Sequence, residues 1–177
     1  MAFDGVLYSF TSAKVITIHS LYFFHSNEEE YYDLASSNML LQYLGFEPSV
    51  SGITTIKTEA AVGAEVWSNR DYTISSMPAE LIGDTLFLSD VFLDVSTITV
   101  EVNQNAVISV ALYNRRTGGL DVVLPAQGWT LQNGWVIAAQ QLRGFDIIYS
   151  KLVLAGQRVT FNSTTDNMGC MIFAKTG

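Results

Sequence analysis

The chain is short of basic residues, of charge in general and of cysteine, and each shortage excludes something. Nine Lys and Arg, scattered from Lys14 to Lys175, face seventeen Asp and Glu, leaving a net charge of −8. Nucleic-acid binding draws most of its affinity from basic side chains gathered on one face and from the counterions they release. An acidic chain with a single Arg-Arg pair does not offer that, and polybasic attachment to a membrane surface fails for the same reason. One cysteine, Cys170, leaves no partner for an intramolecular disulfide. It stands in the apolar run Cys170-Met171-Ile172-Phe173, the setting of a buried, inert thiol. No apolar run is long enough to span a bilayer, since residues 15–24 are interrupted by Thr17, His19 and Ser20. The opening Met1-Ala2-Phe3-Asp4-Gly5 has an acid and no basic residue ahead of an apolar stretch, so no secretory signal is expected. The expectation is cytoplasmic synthesis, with incorporation into a virion or an extracellular assembly by a signal-independent route.

Catalytic patterns are also missing. His19 and His25 stand six residues apart with no cysteine nearby, which fits neither a helical metal-binding pair nor a zinc finger. There is no nucleophile elbow and no phosphate-cradling glycine loop. Asp84, Asp90 and Asp94 are close in sequence, but their spacing does not match a calcium loop, and solvated loop carboxylates are the better reading. The expectation is a protein that is not an enzyme, with no catalytic residues, no cofactor and no metal.

What is present is apolar and β-forming. Hydrophobic residues make up 49% of the chain and charged residues 15%, against roughly 25% charged in an ordinary soluble domain. Two readings account for this equally well: a surface meant to pack against other copies, or a broad β core. Short runs rich in Val, Ile, Thr and aromatics recur at residues 52–57, 61–67, 71–75, 85–88, 97–102, 107–113, 135–138, 145–154, 158–161 and 169–174. Strict alternation in Thr97-Ile98-Thr99-Val100-Glu101-Val102 marks a half-buried antiparallel strand, and Asn103-Gln104-Asn105 reads as the tight connection of a hairpin to the next one. The predicted fold is an all-β antiparallel sandwich or jelly roll over residues 64–177. Residues 1–63 read as an N-terminal extension that serves as a docking arm, with a strand over 14–24 and one short helix. Ser26 followed by Glu29 fits a capping box, and Glu28, Glu29 and Glu30 suit the positive end of a helix dipole, predicting a helix over 26–44. The alternative there is a loop followed by a strand at 39–43.

Residues 64–176 resemble the non-catalytic β-sandwich modules appended to bacterial polysaccharide-degrading and other secreted enzymes. The resemblance is carried by Trp67-Ser68-Asn69-Arg70-Asp71-Tyr72-Thr73-Ile74 with Met77-Pro78-Ala79-Glu80-Leu81, then Val110-Ala111-Leu112-Tyr113-Asn114-Arg115-Arg116. It continues through Leu124-Pro125 with Trp129, and closes on Tyr149-Ser150-Lys151, Ala155-Gly156 and Val159-Thr160-Phe161-Asn162. Asn114 departs from the usual Asp, and the glycine pair expected before Asn162 is absent. The resemblance implies a sandwich fold, a non-enzymatic role and association with glycans.

Sugar rings stack their C–H faces on aromatic side chains while Arg or Asn bond the hydroxyls. On that chemistry the candidate glycan-binding residues are Trp129, in a Gly-Trp-Thr loop, with Asn114, Arg115 and Arg116 at a strand end. Tyr113 and Trp135 adjoin aliphatic runs and read as core. The leading expectation is a structural subunit of a multi-copy assembly, such as a virion or phage surface, a filament or a coat, partnered by itself or other proteins. The alternative is a stand-alone glycan-binding module.

Overall fold

The computed structural model describes residues 23–25, 28–30, 45–53, 55–91, 93–94, 96–140, 142, 144–166 and 168–176. The chain divides into two compact units, Met1–Met39 and Leu40–Gly177. In the first, β1 (Phe23–His25) pairs antiparallel with β2 (Glu28–Glu30), placing Phe24 opposite Glu29. Glu28–Glu30 are therefore a strand and not the first turn of a helix. Pairing with β1 gives their backbone groups the partners that a helix would otherwise supply. Residues 31–44 of the expected helix, most of the expected strand over 14–24 and the alternative strand at 39–43 lie outside the described residues.

The second unit is an antiparallel sandwich, as the alternation predicts. Its centre is a six-stranded sheet in the order β10-β12-β9-β14-β7-β4. These are Thr130–Leu131, Ile147–Val153, Ala106–Leu112, Cys170–Thr176, Thr85–Ser89 and Thr55–Glu59. One three-stranded sheet follows the order β13-β8-β3 (Arg158–Asn162, Thr97–Glu101, Ser49–Ser51). Another follows β11-β6-β5 (Ala138–Ala139, Arg70–Ser76, Glu65–Trp67). Because β3 and β4 pair into these sheets, the sandwich takes in residues 49–59 as well as the region from 64 onward.

Each face of the central sheet carries its own core. Successive side chains of a strand point to opposite faces, and here each set contributes to a buried core. Ala106, Ile108, Val110 and Leu112 of β9, with Cys170, Ile172 and Ala174 of β14, join Ile98, Val100 and Phe161 of the β13-β8-β3 sheet in the first core. Ala111, Met171 and Phe173 join Val66, Trp67 and Ile74 of the β11-β6-β5 sheet in the second. A strand buried on both sides needs no polar positions, which is why Cys170–Ala174 is an unbroken apolar run. Burial pushes the Cys170 thiol up to about 12, the inert state the sequence implies. A side chain such as Phe173, fully removed from water, contributes about 1.5–3 kcal/mol.

Two connections depart from the sequence reading. Asn103–Asn105 does not close a hairpin, because β8 and β9 belong to different sheets. The segment is a corner between sheets, and its amides tie down neighbouring chain. Asn103 donates from Nδ2 to the Gly45 carbonyl at 2.8 Å and accepts from the Glu47 N–H at 2.9 Å, while Asn105 Oδ1 accepts from the Ala155 N–H at 2.9 Å. Second, the short helix of the sandwich is α1 (Leu120–Ala126), entered through Gly119 in a left-handed conformation and seated by Leu120 and Leu124, one turn apart, on the first core.

Candidate functional site

A cleft of about 800 Å³ opens beside the second core, where three separate segments meet. The first is the β5–β6 hairpin. Trp67 lies opposite Arg70 across a two-residue turn, and Arg70 and Tyr72, two apart on β6, present the same face to the cleft. The turn is tied to the end of β7. Ser68 N–H donates to the Ser89 carbonyl at 3.0 Å, the Ser68 hydroxyl donates to Asp90, and Asn69 Oδ1 accepts from the Val91 N–H at 3.2 Å.

The second segment is the turn that ends β9. Arg116 N–H donates to the Tyr113 carbonyl at 2.8 Å, closing a four-residue turn with Asn114 and Arg115 at its centre. That turn is clamped to the start of β14. Tyr113 N–H donates to the Gly169 carbonyl at 2.9 Å and Gly169 N–H to the Arg116 carbonyl at 3.0 Å. Arg115 and Arg116 thus rise from a backbone held at both ends. The third segment is the loop before β14, which brings Thr165 and Asp166. It is pinned by the Gly118 carbonyl, which accepts from the Thr164 and Thr165 N–H groups at 2.7 and 3.3 Å.

The floor of the cleft is aromatic. Trp67 meets Tyr113 edge to face at 6.0 Å and Phe145 at 5.3 Å, while Tyr113 and Phe145 lie 5.5 Å apart. Trp67 and Tyr113 are only 1% and 8% exposed, so they offer ring edges, whereas Tyr72 is half-buried and presents more of its ring. Tyr113 and the half-buried Trp135 both pack in the second core, as expected of them.

Of the expected glycan-binding residues, the cleft gathers Arg115 and Arg116. Asn114 shares their turn but does not line the cleft, and its side-chain oxygen is buried without a hydrogen-bond partner. Trp129 lies elsewhere. It is 4% exposed, packed edge to face on Phe161 at 5.6 Å in the first core, and its indole N–H has no partner. Gly128, in a left-handed conformation just after α1, turns the chain so that Trp129 folds inward. Arg70, Tyr72 and Asp166 were missed as site residues. The signal for the first two was their i, i+2 spacing after a Trp-ended hairpin strand, within a motif already noted for its resemblance.

Asp84, Asp90 and Asp94 form no metal-binding group, and among the described residues no cluster of three or more such ligands exists. Asp84 and Asp90 flank opposite ends of β7, a separation of about 20 Å at strand spacing. Asp84 is 5% exposed, with Lys175 Nζ at 3.8 Å, and burial raises its carboxyl to about 6 against the lowering influence of Lys175. Among the described residues no helix is long and apolar enough to cross a membrane.

No protein-family model matches the chain, and a comparison with curated protein sequences finds no match. Among solved structures, the chain is similar to part of a β-glucuronidase from glycoside hydrolase family 2, with a TM-score of 0.53 and 8% identity over 73% of this chain and 13% of that one. A GH138 enzyme targeting pectin rhamnogalacturonan II aligns with a TM-score of 0.45 and 19% identity over 70% of this chain and 16% of that one. The chain therefore shares a β-sandwich fold with part of a glycoside hydrolase, while spanning about an eighth of that enzyme's length.

Proposed function

We propose that this chain is a non-catalytic glycan-binding module of the β-sandwich type. The observation that carries the reading is the convergence of Tyr72, Arg70, Arg115 and Arg116 on one cleft of about 800 Å³. That size lies within the range of small-ligand sites. An aromatic ring to stack on a sugar face, with guanidinium donors around it for hydroxyls, is the chemistry of sugar binding. The sandwich fold shared with part of a glycoside hydrolase supports the same reading. Binding without hydrolysis is supported by the lining, which among the described residues carries one carboxylate, Asp166, whereas glycosidic hydrolysis usually employs a facing pair. The test is a glycan array followed by calorimetry on the strongest hit. Tyr72→Ala is expected to weaken binding about tenfold, and Trp129→Phe, in the opposite core, to leave it unchanged. A blank array at millimolar ligand sinks the proposal.

A second reading, a subunit of a multi-copy assembly, has one observation in its favour. Val107 and Leu152 lie directly opposite each other on β9 and β12 and are 36% and 58% exposed on the central sheet. Sedimentation of the full chain decides it. Self-association abolished by Leu152→Lys supports this reading, and a monomer at high concentration removes it.

A further inference from the structure

The distribution of charge around the cleft goes further than sugar binding. The chain carries −8 overall, yet among the described residues this cleft is lined by three arginines, Arg70, Arg115 and Arg116, and by one acid, Asp166. Asp166 is the acid in the lining, while Asp71 alternates to the opposite face of β6 from Arg70 and Tyr72, and Asp90 takes the Ser68 hydroxyl. A cleft with an excess of one sign of charge focuses its field on whatever enters, and guanidinium groups match the planar, two-oxygen geometry of a carboxylate. A neutral sugar has no need of the excess positive charge that Arg70 and Arg115 bring to this cleft of an acidic protein, whereas an anion does.

We infer that the cleft selects an acidic glycan, its anionic group held between Arg70 of the β5–β6 hairpin and Arg115 of the turn after β9, with a ring face against Tyr72. This rests on the glycan-binding reading. It adds that charge, more than hydroxyl pattern, decides which polysaccharide binds. The anion is a carboxylate of a uronic acid or a sulfate ester, and the two are separable by experiment.

The full chain is titrated with uronate oligosaccharides (galacturonate, glucuronate and mannuronate series), with their carboxyl-esterified forms, and with dextran sulfate beside dextran. Binding to at least one charged form is expected. Its affinity should fall about tenfold or more on esterification, and by a similar factor in Arg70→Gln and in Arg115→Gln, each removing one charge-assisted contact. Affinity should also fall steadily with added salt. Binding to a uronate series assigns a carboxylate, and binding to dextran sulfate alone assigns a sulfate. Equal affinity for charged and neutral forms, or full affinity in both glutamine variants with unchanged thermal midpoints, overturns the inference while leaving glycan binding in place. No binding to any charged or neutral form overturns both.

Discussion

Gly169 lies against the indole of Trp67, so close that a β-carbon on it would stand 2.6 Å from Cη2. The clamp that fixes the Arg115–Arg116 turn and the floor of the cleft therefore share one residue, whose backbone makes both hydrogen bonds of the clamp and whose missing side chain makes room for the tryptophan. Gly169→Ala should push the indole from its place against Tyr113 and Phe145. The cost expected of such overpacking is about 1–3 kcal/mol, seen as a lower urea midpoint, together with altered tryptophan emission and weaker glycan binding. Wild-type stability with unchanged emission would mean that the ring moves freely and the floor is not fixed.

Trp129 serves the first core and not the cleft. Trp129→Ala should cost about 3–5 kcal/mol by leaving a cavity against Phe161. Trp129→Phe should cost clearly less, since it keeps an aromatic ring and removes an N–H that has no partner. Chemical denaturation of the two variants checks this. If Trp129→Ala lost ligand but kept its stability, the residue would belong to a binding surface after all.

Asp84 links stability to pH. Its folded carboxyl is raised from 3.8 to about 6, chiefly by burial. The folded state thus holds a proton that the unfolded chain releases, and stability from this group is full below about 4 and is lost as pH rises through about 6. The loss is at most about 3 kcal/mol. Asp84→Asn should abolish this slope, so that the variant gains on the wild type between pH 4.5 and 7.5. Urea midpoints measured at both pH values suffice, and parallel shifts in the two proteins would refute the linkage.

Ser109 and Ser150 form a buried hydroxyl pair at 2.7 Å, directly opposite each other on β9 and β12. Replacing one by alanine leaves the other hydroxyl without its partner, at a cost of about 1–3 kcal/mol. Replacing both should cost less than the sum of the two single changes. Additive single and double variants in a thermal or urea cycle would show that neither hydroxyl depends on the other.

How much of this was legible depended on the range of the interaction. Alternation in residues 97–102 revealed a one-sided strand, and Ile98 and Val100 are indeed the buried positions, with Thr99 pairing outward to Thr160 at 3.0 Å. The apolar run Cys170–Phe173 pointed to a buried thiol, and Cys170 is indeed buried, while its place in the middle of the six-stranded sheet was not legible. Helix α1 was not legible, since seven residues with Val122, Val123 and Pro125 carry too little periodicity and too much β-branching to stand out. Asn103–Asn105 misled because turn chemistry marks a change of direction and not the sheet that receives the next strand. Trp129 misled because a flanking glycine marks a turn in either direction, outward to solvent or inward to a core.

The chain's order of residues determined, by itself, an acidic β protein with an inert thiol and an arginine pair at a strand end, all consequences of composition and period-two patterning. Only the tertiary structure decided that both faces of the central sheet carry a core, that Trp129 belongs to one of them, and that Arg70 and Tyr72 stand with Arg115 in one cleft. The reason is physical. Alternation gives a strand a face but not a partner, and the pairing of distant strands within the sheet, such as β7 with β14 where Leu88 lies opposite Met171, is chosen together with the cores that form on its two faces.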